Sequence, residues 1–196
     1  MIYRKKTELL SFQIENCEQW LEFSRGEESP FGRFIFNTTG FRALTWLFRE
    51  NEVRDECESI SNCVEYIYAK NPRTMTELVN SKEFANAREY ITKEIGEGVK
   101  ALDKRTNLQV ESEEASAIRS LTYLYIDSKE YAPRDRVEAV LQTIYQFHRN
   151  LPHYGKKEMA VCEKGARVFG EFVNCYVNTL LPVLRSERRS TSNKVA

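Results

Sequence analysis

The sequence holds two histidines, and both fall within one ten-residue stretch, QFHRNLPHYG at 146–155. Imidazole is the side chain that most readily gains and loses a proton near neutral pH, so this is the first place to look for acid–base chemistry or a metal. A zinc centre would need a third and fourth donor with nitrogen, sulfur or carboxylate chemistry, and the local sequence supplies none. His148 shares a helical face with Val137, Leu141 and Ile144 and stands at the C-terminal end of that helix, where the backbone dipole favours an imidazolium. His153 follows Pro152, outside the helix. Both are read as structural, with no metal or cofactor expected.

Other chemistry is thinly represented. The sequence contains no G-x-S-x-G nucleophile elbow, no H-E-x-x-H zinc helix and no G-x-x-x-x-G-K-[ST] phosphate loop. Arg149 and His153 stand closer than the arginine and histidine of HEPN-type ribonucleases. The acid pairs Glu27-Glu28 and Glu113-Glu114 fall at a helix end and a helix start, where exposed carboxylates are ordinary. The expectation is therefore a protein that binds rather than catalyses.

PFGRFIF at 30–36 has the aromatic and basic spacing of RNA-recognition sheets, but that spacing stacks bases only on a strand. Small basic clusters remain, chiefly Lys156-Lys157 and Arg185 with Arg188-Arg189. Were several to meet on one face they could hold phosphates, as in the all-α, oligomeric RNA-silencing suppressors of some plant viruses, an analogy of fold only. RNA is accordingly the second partner class, behind protein. Arg188-Arg189-Ser190-Thr191 fits a basophilic kinase site, with Thr191 the candidate acceptor.

Composition narrows the field. Lysine plus arginine and aspartate plus glutamate number 29 each in 196 residues, so no global field draws in nucleic acid or an anionic membrane. No apolar run is long enough to span a bilayer, and the N-terminus lacks the features of a signal peptide, so no membrane insertion is expected. Cys17, Cys57, Cys63, Cys162 and Cys175 are odd in number and mostly at apolar helical positions, which suits reduced thiols in a cytoplasmic or nuclear protein.

Apolar residues recur with helical period almost throughout, which predicts an all-α fold of seven to nine helices. Helices are expected at 7–24, 53–70, 81–102, 112–127, 133–149 and 156–184, with Pro182 fraying the last. Ser29-Pro30 should cap a short aromatic segment that breaks around 37–40, followed by a separate short helix at 41–50. Residues 186–196 are polar and are expected to form a disordered basic tail.

The sequence also resembles itself. RALTWLF at 42–48 matches RSLTYLY at 119–125, and Phe84, Ile91, Ile95, Val99 and Leu102 lie 78 positions before Cys162, Phe169, Val173, Val177 and Leu180. Two related helical halves, 41–105 and 118–185, follow from this, with 1–40 as N-terminal capping helices. The segment from ALTWLFREN to YIYAKNP loosely resembles the paired helices of an armadillo or HEAT-type unit, over about one repeat. In the second half HRNLPH answers AKNPR, with His148 in the place of Ala69, so the turn does not require histidine.

With 11 Phe, 10 Tyr and 2 Trp, the chain is richer in aromatics than a small helical core requires. Tyrosine and tryptophan suit surfaces that are half apolar and half wet. Gly165, Ala166 and Gly170 on the last helix would admit close helix approach. The expected role is an interaction or scaffold protein, self-associating, with Phe34, Trp46, Tyr66 and Tyr68 as interface anchors.

Overall fold

The longest apolar face in the sequence belongs to its last helix, and the other elements are arranged around that face. The structure, a computed structural model, describes residues 2–49, 56–95, 130–150 and 159–192. Within them seven α-helices form and no strand does: α1 Ile2–Gly26, α2 Pro30–Thr45, α3 Glu56–Lys70, α4 Pro72–Val79, α5 Lys82–Tyr90, α6 Pro133–Asn150 and α7 Met159–Ser192. A 3-10 turn, Trp46–Phe48, prolongs α2, and a π-helical turn, Ile91–Ile95, prolongs α5. No described helix is long and apolar enough to cross a membrane.

On α7 the anticipated face of Cys162, Ala166, Phe169, Val173, Val177 and Leu180 is buried, and Phe172, Tyr176, Leu181 and Leu184 widen it. The hairpin of α1 and α2 covers one side of α7 and α5 another, while α3 and α4 pair with α6. Aromatic rings meet edge to face across these seams: Phe84 on Phe172 at 5.8 Å, Tyr90 on Phe169 at 5.2 Å, Phe41 on Tyr176 at 5.4 Å. Each such buried side chain contributes about 1.5–3 kcal/mol of transfer free energy. The small residues do what their size suggests. A Cβ on Gly165 would fall 2.5 Å from the Tyr90 hydroxyl, and one on Gly170 would lie 3.4 Å from Phe34 Cα.

Between α3 and α6 the contact is partly polar. Ser61 donates to Glu138 at 2.6 Å, and the Gln142 amide donates to both. All five cysteines are free. Burial pushes the thiols of Cys17 and Cys63 up to about 12, so both stay protonated at neutral pH.

Several element boundaries differ from expectation. The aromatic segment and the helix expected at 41–50 are one helix, α2, because nothing at 37–40 breaks it. Thr38 and Thr39 bond back to Ile35 and Phe34 carbonyls, and Asn37 donates across to the Gly170 carbonyl at 3.0 Å. A capping unit ending at residue 40 therefore has its boundary inside α2. Pro72 opens an additional helix, α4, and Ser81 then caps α5 by accepting from Phe84 N at 3.1 Å.

Pro182 does not end α7. The bond it removes is the one to the carbonyl of Asn178, an exposed residue whose carbonyl water can satisfy. The tail, too, is helical as far as Ser192. Leu184 is buried, and Glu187 pairs with Lys70 at 2.9 Å, which ties this stretch to the body. The helix expected at 112–127, the second heptad of the internal match at 119–125 and His153 lie outside the described residues.

Candidate interaction surface

Helix α1 carries two apolar faces. The inner one, Ile14, Cys17 and Leu21, is buried in the core, with Leu10 packed against it. The outer one, Leu9, Phe12, Trp20 and Phe23, recurs at helical spacing on the side turned away from α7. From Leu9 to Phe23 it runs about 21 Å along the helix.

Helix α2 extends this face. Its Gly40 allows a close approach, since a Cβ there would lie 3.3 Å from both the Cys17 carbonyl oxygen and Trp20 Cβ. Trp20 consequently stacks on Phe36 at 5.8 Å, and Phe23 closes a three-ring cluster at 5.8 Å from Trp20 and 6.0 Å from Phe36. Ile35 and Trp46 continue the surface along α2 and its 3-10 turn. Among the described residues the exposed large hydrophobics are Leu9, Phe12, Phe23, Ile35 and Trp46, each 38–61% exposed, and all five belong to this hairpin.

Trp46 is held from behind. The Arg49 guanidinium lies 4.9 Å from the centre of the Trp46 ring and reaches Glu56 at 3.5 Å, while Arg42 reaches the same carboxylate at 2.5 Å. Burial raises the pKa of Glu56, but the hydrogen bonds from Tyr145 and Arg42 and the charges of Arg42 and Arg49 outweigh it and hold the group below the usual carboxylate range. Tyr145 is pushed up to about 12 by burial and by its bond to Glu56, so it stays a phenol. Arg42, Glu56 and Tyr145 line a cavity of about 20 Å³, room for one water and not for a substrate.

His148 lines the same cavity, and its charge state differs from the sequence expectation. Burial, followed by the nearby charge of Arg42, lowers its pKa, so the imidazole is neutral at pH 7 despite the helix terminus. Its ring packs against Phe34 at 5.8 Å. Among the described residues no cluster of three histidine, cysteine or acidic side chains could hold a metal.

The four anticipated anchors separate. Trp46 lies on the outer face. Phe34 does not: it is 0% exposed, wedged edge to face against Phe147 at 5.5 Å in the α2–α6 seam, and it belongs to the core. Tyr66 and Tyr68 are half-buried on α3 beside the fully buried Ile67, each with a cation over its ring, Lys70 at 5.5 Å and Arg134 at 5.5 Å.

Of the anticipated basic positions, Arg185 and Arg188 have described side chains, and both are engaged in ion pairs. Arg185 pairs with Glu18 and Arg188 with Glu15, the latter at 3.8 Å, both across the α1–α7 seam. Arg189 and Thr191 are in the last turns of α7, and Lys156 and Lys157 lie outside the described residues.

Phe36 reads, with Phe31 and Phe34, as core or interface, but sequence reasoning missed Phe12, Trp20 and Phe23. Their signal was present, since Leu9, Phe12, Trp20 and Phe23 form a second stripe beside Leu10, Ile14, Cys17 and Leu21. An α1 covered on one face only has no use for both. Comparison with protein-family models, curated proteins and solved structures gives no match.

Proposed function

We propose that the chain is a non-enzymatic helical interaction protein that self-associates through the outer face of its α1–α2 hairpin. The observation that carries this reading is that the exposed large hydrophobics among the described residues all belong to this one hairpin and its 3-10 turn. Five such side chains, each about half exposed, present on the order of 500 Å² of apolar surface, near the upper end of what a monomer displays. One side of a standard interface covers about 800 Å², of which somewhat over half is apolar. The patch therefore matches what a stable dimer needs.

A second copy is the occupant the chemistry favours. In a two-fold contact each residue near the axis meets its own copy, so a charge there would meet a like charge. Leu9, Phe12, Trp20, Phe23, Phe36 and Trp46 are all uncharged. Hairpin on hairpin gives a four-helix layer, a packing that helices adopt readily. Beneath it, we read α3–α7 as two related helical halves, a reading supported by the packing of α3 on α6 and of α5 on α7, the helices that the internal sequence match equates.

Sedimentation velocity tests the proposal. The wild-type chain should sediment as a dimer at micromolar concentration, and Phe12→Glu with Phe23→Glu should sediment as a folded monomer with unchanged helical circular dichroism. A wild-type chain that is monomeric at 100 µM, or a double variant that still dimerises, would sink it.

A further inference from the structure

A cleft of about 610 Å³ opens where the corner between α1 and α2 meets α7, away from the hydrophobic face of the hairpin. That volume is in the range of small-molecule sites. Three arginines from three helices line it: Arg25 in the last turn of α1, Arg33 on α2 and Arg167 on α7. Glu28 and Glu171 border it as well, and Asn37, Ala166 and Gly170 lie along its buried side.

The arginines are not consumed by the fold. Arg167 has an exposed contact with Glu163 at 3.7 Å, a kind of pair worth little in water. Arg33, an exposed side chain, gives its Nε proton to the Glu27 carbonyl, a bond that leaves its terminal nitrogens uncommitted. Arg25 makes no ion pair among the described residues. The N-terminus of the 16-residue α2, at Pro30, adds a partial positive charge to the same cleft.

Asn37 on the buried side is held by the fold and not offered to the cleft. It is 5% exposed, and its amide nitrogen donates to the Gly170 carbonyl. Its Oδ1 accepts from nothing, although a buried oxygen without a donor costs about 1–3 kcal/mol. Glu28 and Glu171 supply acceptors at the same cleft. A ligand matching these and the arginines needs an oxyanion and several hydroxyl or amino donors.

From this arrangement we infer that the cleft binds a small phosphate ester that carries hydroxyl groups, with Arg25, Arg33 and Arg167 on the phosphate and Glu28 and Glu171 accepting from the hydroxyls. Planar guanidinium forks match phosphate geometry bidentately. The inference does not depend on self-association, because the cleft and the outer hairpin face share no residue.

Titration calorimetry at low ionic strength, with adenosine monophosphate, glucose 6-phosphate and inorganic phosphate, tests it. At least one ester should bind more tightly than inorganic phosphate, which lacks the hydroxyl donors. Arg33→Gln and Arg167→Gln, both at exposed side chains, should each weaken that ester tenfold or more, as expected for loss of a charge-assisted bond. Their melting temperatures and sedimentation should match wild type, and Phe12→Glu should bind the ester normally. Absence of binding by either ester at millimolar concentration, or equal binding by both arginine variants, would overturn the assignment. Binding of single-stranded RNA alone, weakened by the same variants, would also overturn it in favour of a polymer.

Discussion

The guanidinium of Arg49 lies 4.9 Å from the centre of the Trp46 ring and 3.5 Å from Glu56, so one side chain joins the exposed hairpin face to the first turn of α3. Trp46 is 53% exposed, and an exposed indole held by a cation has fewer orientations to lose on binding.

Glu56→Gln should release this linkage. The substitution removes the carboxylate that Arg42 and Arg49 share and leaves their charges unbalanced beside a side chain only 15% exposed. Stability should fall by about 2 kcal/mol in urea unfolding, in line with loss of a charge-assisted hydrogen bond network. Dimer dissociation should also become easier, by a smaller factor than Trp46→Ala produces. An unchanged urea midpoint would show that the pair is solvent-screened and carries no positional role.

Intrinsic fluorescence offers a direct view of the proposed interface. The two tryptophans, Trp20 and Trp46, both border the outer hairpin face. Dilution of the wild-type chain should shift the emission maximum to longer wavelength as both indoles lose apolar cover. The midpoint should coincide with dissociation in sedimentation. Dissociation with a constant emission maximum would place the interface elsewhere on the molecule.

The difference between what was legible and what was not has a physical origin. The core face of α7 could be read from Cys162 to Leu180 because burial on a helix imposes a 3.6-residue period. Ser29 and Pro30 marked the start of α2 because capping is local chemistry. The continuity of α2 through Asn37, Thr38, Thr39 and Gly40 was not legible. Those residues favour turns in isolation, and only the neighbouring α1 and α7 give Gly40 a close contact and Asn37 a distant carbonyl. The same limit hid the phosphate cleft, since Arg25, Arg33 and Arg167 meet only in three dimensions. Phe34 misled for the opposite reason, because a sequence cannot tell a core aromatic from a surface one on a helix that is apolar on two sides.

Acid should weaken the fold in two stages. His148 has its pKa lowered from 6.5 in the folded chain by burial and by Arg42, so the unfolded chain takes up its proton first. Its contribution is present above pH 6.5 and is lost as pH falls toward the folded value. Glu56 is lowered from 4.5, so its contribution is present above pH 4.5 and is lost as pH falls further. Urea midpoints measured between pH 8 and pH 3 should show both declines. His148→Gln should remove the upper one and leave the lower. Retention of the upper decline in that variant would assign it to another group.

Gly165→Ala tests the closest approach in the core. Alanine in a helix interior is intrinsically favoured over glycine by about 1 kcal/mol. Here its Cβ would fall 2.5 Å from Oη, 2.7 Å from Cζ and 2.9 Å from Cε1 of Tyr90, a ring that is 3% exposed and pressed edge-on to Phe169. Overpacking of this kind costs about 1–3 kcal/mol, so the steric term should win and the variant should unfold at lower urea. Leucine has none of the three contacting atoms. In a Tyr90→Leu background the sign should therefore reverse, with Gly165→Ala raising stability by up to about 1 kcal/mol as helix propensity acts alone. A double-mutant cycle with no change of sign would mean that the contact between α5 and α7 relaxes at this point, and that Gly165 is not what sets their separation.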